Sequence, residues 1–173
     1  MKIRHAHIKD ARAICGLVNY YAERGRMLHR SLEGVYASLR DFQVLEDKDA
    51  GVVACVAVAI FWADLAELKS LAVAPRWVGQ GLGGKLVAAA RRDAVKLGVK
   101  KLFALTYEKE FFSRHGFRTV RREKLPEKVW RECMACPKSD ACDEIAMILD
   151  LRRSGKRKNR ARRRSAKPAG ARV

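Results

Sequence analysis

Apolar residues in the first half of the chain recur with two different periods. "MKIRHA" alternates polar and apolar positions and predicts a first strand, whereas from Lys9 onward Ile14, Leu17, Val18 and Tyr21 fall at i, i+3, i+4 and i+7, one face of a helix. Ser31 is placed to cap a second helix over "LEGVYASLRD". "FQVLED", "VVACVAVAIFWAD" and "LAELKSLAVAP", separated by short turns such as "DKDAG", then predict three consecutive strands joined as hairpins. A helical stretch, "LVAAARRDAVKLG", closes at Gly98. Beyond it, "KKLFALT" reads as a buried strand, "EKEFFSRHG" as a short helix ended by Gly116, and "FRTVRRE" as a strand. "PEKVWREC" predicts a short helix with Pro126 in its first turn, and "EIAMILDL" a last strand. The order β-α-α-β-β-β-α-β-α-β-α-β predicts an α/β (α+β) fold, a mixed, mostly antiparallel central sheet flanked by helices on both faces.

A chain of 173 residues suits one domain with a full core. Charge divides it: residues 152–173, "RRSGKRKNRARRRSAKPAGARV", carry 11 of the 37 Lys and Arg residues and no acid. The other 26 basic residues against 19 acidic ones leave +7 of the net +18. We therefore expect a domain over 1–151 and a disordered basic tail over 152–173, able to contact polyanions such as nucleic acid or an anionic membrane surface without sequence preference. The polar start "MKIRHAHIKD" does not resemble a secretory signal, and the longest apolar run, Val52 to Ala63, is too short to cross a bilayer. With five cysteines, an odd number, the expectation is a soluble, cytoplasmic protein in a reducing compartment.

Candidate chemistry begins at Gly79 to Leu86, "GQGLGGKL", between a strand and a helix. Glycines at such a junction expose backbone N–H groups to a phosphate. Three patterns overlap here. A dinucleotide fingerprint over Gly79, Gly81 and Gly84 conflicts with the intervening loop "PRWV" and with a next strand that ends in Leu105-Thr106 instead of an acid. A P-loop needs Ser or Thr after Lys85, and Leu86 cannot hold magnesium. What remains is Arg76-x-x-Gly79-x-Gly81, after a strand ending "LAVAP" and before an amphipathic helix; the purely structural alternative is a sharp glycine corner.

That third pattern, with the order of elements, resembles the GCN5-related N-acetyltransferase (GNAT) superfamily. The resemblance implies acetyl-CoA as co-substrate. It places pyrophosphate contacts at Val78, Gly79, Gln80, Gly81, Leu82, Gly83 and Gly84, and pantetheine or acetyl contacts at Leu71, Ala72 and Val73. The blocks "RMLHRSLEGVYASLRDF", "AELKSLAV" and "LFALTYEKEFFSRHGF" further resemble the acetyltransferase domain of N-acetylglutamate synthases in the short form without a kinase domain. This resemblance covers the chain to about Leu151. It implies transfer of an acetyl group to the α-amine of L-glutamate, with Arg30 and the adjacent Ser31 binding the acceptor and the strand bearing Glu67 and Lys69 facing the site.

Read on their own, Glu67, Lys69, Leu71 and Val73 alternate, so one strand face carries an acid and a base among apolar neighbours. Glu67 is the candidate base, directly or through water, and Lys69, with Arg30, a partner for the acceptor carboxylates; the backbone N–H of Val73 or a neighbour is the candidate oxyanion donor. The structural alternatives are a Glu67–Lys69 ion pair and a solvated arginine at a helix entry. Many superfamily members place a tyrosine four residues before the glycine of the "GF" pair, beside the cofactor. Phe112 stands there in this chain. Tyr107 is poorly placed to replace it if both lie on one helix, and His115 is expected as a helix-end cation, so no general acid is assigned.

Cys133, Cys136 and Cys142 have C-x2-C-x5-C spacing, three thiols without the second C-x-x-C of a tetrahedral zinc site. We expect reduced thiols and no metal, with zinc as the alternative, and Cys15 and Cys55 in the core. Other open readings are acetylation of a different amino acid or of a protein N-terminus, and a catalytically idle module that binds nucleic acid through the tail. A homo-oligomer is compatible with all of them.

Overall fold

The computed structural model describes residues 1–125 and 142–152. The helix expected over "PEKVWREC", the tail beyond Arg152, and Cys133 and Cys136 lie outside the described residues. Among the described residues, seven strands form one sheet in the order β1-β2-β3-β4-β5-β7-β6. They are β1 (Lys2–His5), β2 (Phe42–Asp47), β3 (Gly51–Trp62), β4 (Leu65–Val73), β5 (Lys101–Thr106), β6 (Arg118–Thr119) and β7 (Ile145–Asp150). The helices are α1 (Ala11–Ala22), α2 (Leu32–Ala37), α3 (Leu82–Lys96) and α4 (Lys109–Arg114). Every strand pair is antiparallel except β4 with β5.

β3 reads as a continuous apolar run because both of its faces are buried. Val56 and Val58 join the core under α3, and Cys55 and Ala57 the core under α1 and α2. The hairpin into β3 forms as expected: the Asp47 carboxylate accepts the N–H groups of Asp49 and Ala50, both at 3.1 Å, and Gly51 takes φ 72°. α2 starts at its expected cap, the Ser31 hydroxyl accepting the Gly34 N–H at 3.0 Å. It ends at Ala37, earlier than the sequence pattern suggests, where the Ser38 hydroxyl donates back to the Gly34 carbonyl at 2.7 Å and the chain tightens into a 3-10 turn over Leu39–Asp41. The strand expected over "FRTVRRE" shrinks to Arg118–Thr119. Those two residues sit on the open edge of the sheet beyond β7, where a short, charged strand avoids pairing with other chains.

β4 carries the main irregularity. Between the pairs Cys55↔Ala72 and Ala57↔Lys69, β3 advances two residues and β4 three. The extra residue forms a bulge at Ser70, whose φ of 52° is left-handed for a non-glycine residue, at a cost of about 1–2 kcal/mol. The bulge reverses side-chain parity. Lys69 and Ala72 share the face of α1 and α2, while Leu71 and Val73 pack against the core under α3. The single-face alternation expected for Glu67, Lys69, Leu71 and Val73 is therefore broken at Ser70.

One ionic cluster fixes α1 to the sheet. Arg4 on β1 donates to both oxygens of Asp10 (2.6 and 3.1 Å) and both of Glu46 on β2 (2.8 and 2.9 Å), and Asp10 also accepts the His7 N–H at 2.7 Å. Asp10 is only 4% exposed, and its bonds from Arg4 hold its carboxyl below the usual range. Asp10→Asn is expected to lower stability at pH 7 by about 1–3 kcal/mol. A depressed native pKa gives stability that is complete above the ordinary carboxyl value and lost as the pH falls through the native one. The difference between wild type and variant in thermal melts should accordingly narrow as the pH falls below the ordinary carboxyl range.

Candidate active site

β4 and β5 pair only through Leu65↔Lys101, Ala66↔Leu102 and Glu67↔Phe103. Past Glu67 the strands diverge, β5 remaining with β7 as far as Thr106. A cleft of about 750 Å³ opens in the gap, with Leu68 to Leu71 and Val73 on one side and Leu105 to Glu108 on the other.

The glycine segment forms one end. After a 3-10 turn over Pro75–Trp77, Gly79 and Gly81 take φ values of 86° and 74°, and Gly81 caps α3 without a side chain. The first helical bond runs from the Lys85 N–H to the Gly81 carbonyl at 3.2 Å, so the N–H groups of Leu82, Gly83 and Gly84 have no partner within the helix. No acid stands in the first turn of α3, and Lys85 does. This helix start suits an anion. Val78, Gly79, Gly81, Leu82, Gly83 and Gly84 line the cleft. Gln80 does not: it points outward, its Nε2 donating to the Arg76 carbonyl at 3.4 Å.

At the bulge, Leu71 and Val73 line the cleft, whereas the Ala72 side chain is buried on the opposite face. The Ala74 N–H bonds the Val53 carbonyl at 2.8 Å, which makes Ala54↔Val73 a non-hydrogen-bonded pair. The Val73 peptide groups therefore face away from β3, toward the side that β5 has left. Its carbonyl accepts the Tyr21 hydroxyl at 2.6 Å.

Glu67 and Lys69 lie on the α1–α2 side of the sheet, 8% exposed in the case of Glu67, and their Oε2 and Nζ are 3.4 Å apart. Both line the cleft, as does Arg30 from the α1–α2 connection. The Arg30 guanidinium makes a long bond to Ser38 Oγ (3.4 Å) and lies 5.9 Å from the Phe42 ring. Ser31 does not line the cleft; its hydroxyl is committed to the α2 cap. Three neighbours escaped sequence reasoning. Asp41 sits near enough to Lys69 and Arg30 for both to lower its pKa, although burial dominates and raises it. Arg26 and Glu108, each about half exposed, form an ion pair between the α1–α2 connection and the loop before α4.

On the opposite wall, Phe112 is buried edge-on between Phe111 and Phe117, with ring centroids 5.3 and 5.1 Å away. α4 begins at Lys109, so Tyr107 is on the loop before it; Tyr107 and Phe112 both line the cleft, and the Tyr107 hydroxyl donates to Asp143 at 2.8 Å. His115 does stand at the end of α4, but burial first, then Arg114 and Arg91, shift its pKa below the ordinary imidazole value, which disfavours the cation expected there. Among the described residues no group of three or more His, Cys, Asp or Glu is arranged to hold a metal ion. Cys142 lines the cleft, its thiol 3.9 Å from Glu144 Oε2. Cys55 is buried as expected, whereas Cys15 is half-buried and touches the Arg30 carbonyl.

The split sheet thus places an open strand edge beside an uncapped, glycine-led helix start that suits an anion. Residues 38–119 match the acetyltransferase (GNAT) domain. An uncharacterized N-acetyltransferase of Chlorobaculum tepidum is 41% identical over 86% of this chain and 96% of its own length. The amino-acid acetyltransferase of Mycobacterium tuberculosis is 35% identical over 86% of this chain and 84% of its own. The crystal structure of N-acetylglutamate synthase from Neisseria gonorrhoeae, complexed with coenzyme A and N-acetyl-glutamate, matches with a TM-score of 0.79 and 31% identity, covering 87% of this chain and 35% of that one. The chain belongs to the GNAT acetyltransferase family and is an acetyl-CoA-dependent N-acetyltransferase.

The first turn of α3 has no room for side chains at two positions. A Cβ on Gly84 would lie 2.9 Å from His115 Cε1, and one on Gly83 3.3 Å from the Phe111 ring. Gly84→Ala is expected to displace this turn and raise the KM for acetyl-CoA about tenfold, the equivalent of one charge-assisted hydrogen bond of about 1.5 kcal/mol. Steady-state kinetics at saturating acceptor check it.

Proposed function

We propose that the protein acts in the cytoplasm as an N-acetylglutamate synthase, moving the acetyl group of acetyl-CoA to the α-amine of L-glutamate in the first step of arginine biosynthesis. One observation supports this reading above the others: Arg30, Lys69 and the buried carboxylate Glu67 line a single cavity on the α1–α2 side of the sheet. Two cations and an acid complement two carboxylates and an ammonium group. Relatives named as amino-acid acetyltransferases, and the gonococcal enzyme with N-acetyl-glutamate bound, lend it further support.

In this reading Glu67 takes the ammonium proton, directly or through a water molecule. The freed nitrogen attacks the thioester carbon, and the Val73 N–H receives the oxyanion. As the C–N bond is completed the nitrogen gives up its second proton to solvent, the C–S bond breaks, and CoA leaves as a thiolate that takes a proton from solvent. A thiol of pKa about 8.5 needs little assistance at neutral pH. Arg30 offers a planar, two-point grip on one carboxylate and Lys69 a point charge for the other.

Free CoA release, followed separately with glutamate, glutamine, other amino acids and basic peptides, is expected to be fastest with glutamate. Arg30→Ala should raise the KM for glutamate about 30-fold or more and leave that for acetyl-CoA unchanged, with Arg30→Lys restoring only part of the loss. Equal turnover of glutamine or of peptides would overturn the glutamate assignment.

A further inference from the structure

Arg30 lies in the connection between α1 and α2, without a neighbouring strand to bond its backbone. Asn19 on α1 takes that place. Its Oδ1 accepts the Arg30 N–H at 2.9 Å and its Nδ2 donates to the Arg30 carbonyl at 2.9 Å. A carboxamide presents donor and acceptor as a peptide does, so this one side chain reproduces the two-bond pairing of adjacent strands. Cys15, one helical turn earlier, adds its thiol to the same carbonyl at 3.4 Å. The guanidinium itself makes long contacts to Ser38 and to the Phe42 ring. Its origin is thus fixed at the backbone, and the side chain reaches out from there. Asn19 does not line the cleft.

α1 is anchored in two further places, through Asp10 to Arg4 just before its first residue and through Tyr21 to the Val73 carbonyl near its last. The helix therefore joins the start of the Arg30 side chain to the backbone at the acetyl centre. We infer that Asn19 is a positioning residue that sets the reach of Arg30 toward the acceptor carboxylate. The inference rests on Arg30 binding the acceptor.

The test is a double-mutant cycle of Asn19→Ala and Arg30→Ala in the full chain, read as separate KM values for glutamate and acetyl-CoA. Asn19→Ala is expected to raise the glutamate KM about five- to tenfold, with kcat and the acetyl-CoA KM within about twofold of wild type. In the Arg30→Ala background it should change neither KM. Asn19→Asp, nearly isosteric but lacking the Nδ2 donor, serves if the alanine variant folds poorly and should shift the glutamate KM in the same direction. An equal rise in both KM values, a full additional loss in the Arg30→Ala background, or an unchanged glutamate KM would each overturn the inference while leaving the acceptor reading intact. If Arg30→Ala alone leaves the glutamate KM unchanged, the acceptor reading fails and this inference with it.

Discussion

A parallel strand pair that holds together for only three residues organises the rest of this molecule. Leu65 to Glu67 on β4 face Lys101 to Phe103 on β5, and then the two strands part. Continued pairing would have satisfied the remaining backbone groups of β4 and left no gap. The bulge at Ser70 turns β4 instead, and its left-handed backbone is a local strain that the long β3–β4 pairing around it sustains. That separation leaves the cleft between the two strands, and the Val73 peptide, turned away from β3 by its register, faces it.

The two faces divide the labour. α3 begins on one with unpartnered N–H groups that suit a pyrophosphate, kept accessible because Gly83 and Gly84 give Phe111 and His115 space to pack. On the other face lie the charged groups, Glu67 and Lys69 on β4 and Arg30 in the connection between α1 and α2. α1 spans the distance between them, held to β1 by the Arg4–Asp10 pair, to the bulged strand by Tyr21 and to the Arg30 peptide by Asn19.

Much of this was legible in the sequence. The i, i+3, i+4 spacing gave α1, the Ser31 cap gave the start of α2, and the glycine segment between a strand and a helix pointed to the donor. The bulge left no such mark, because Ser70 is neither glycine nor asparagine and the apolar alternation runs past it unbroken; its left-handed backbone is imposed by pairing with β3. For the same reason Leu71 and Val73 were assigned to the wrong face. Asn19 and Tyr21 were hidden among helical residues, since their roles depend on contacts 11 and 52 positions away. His115 read as a cation because burial against α3 is a tertiary fact that helix-end statistics do not contain. "FRTVRRE" looked like a full strand, although only its first residues reach β7.

The central claim is that the gap opened after Glu67 seats both substrates, donor toward α3 and acceptor toward α1. A crystal structure with a bisubstrate adduct, coenzyme A joined through its sulfur and an acetyl bridge to the glutamate nitrogen, tests it most directly. The pyrophosphate is expected at the N–H groups of Gly81 to Gly84, the bridging carbonyl at the Val73 N–H, and the glutamate carboxylates at Arg30 and Lys69. A glutamate end lodged instead beside Arg122 and Glu144, with Arg30 and Lys69 untouched, would contradict it.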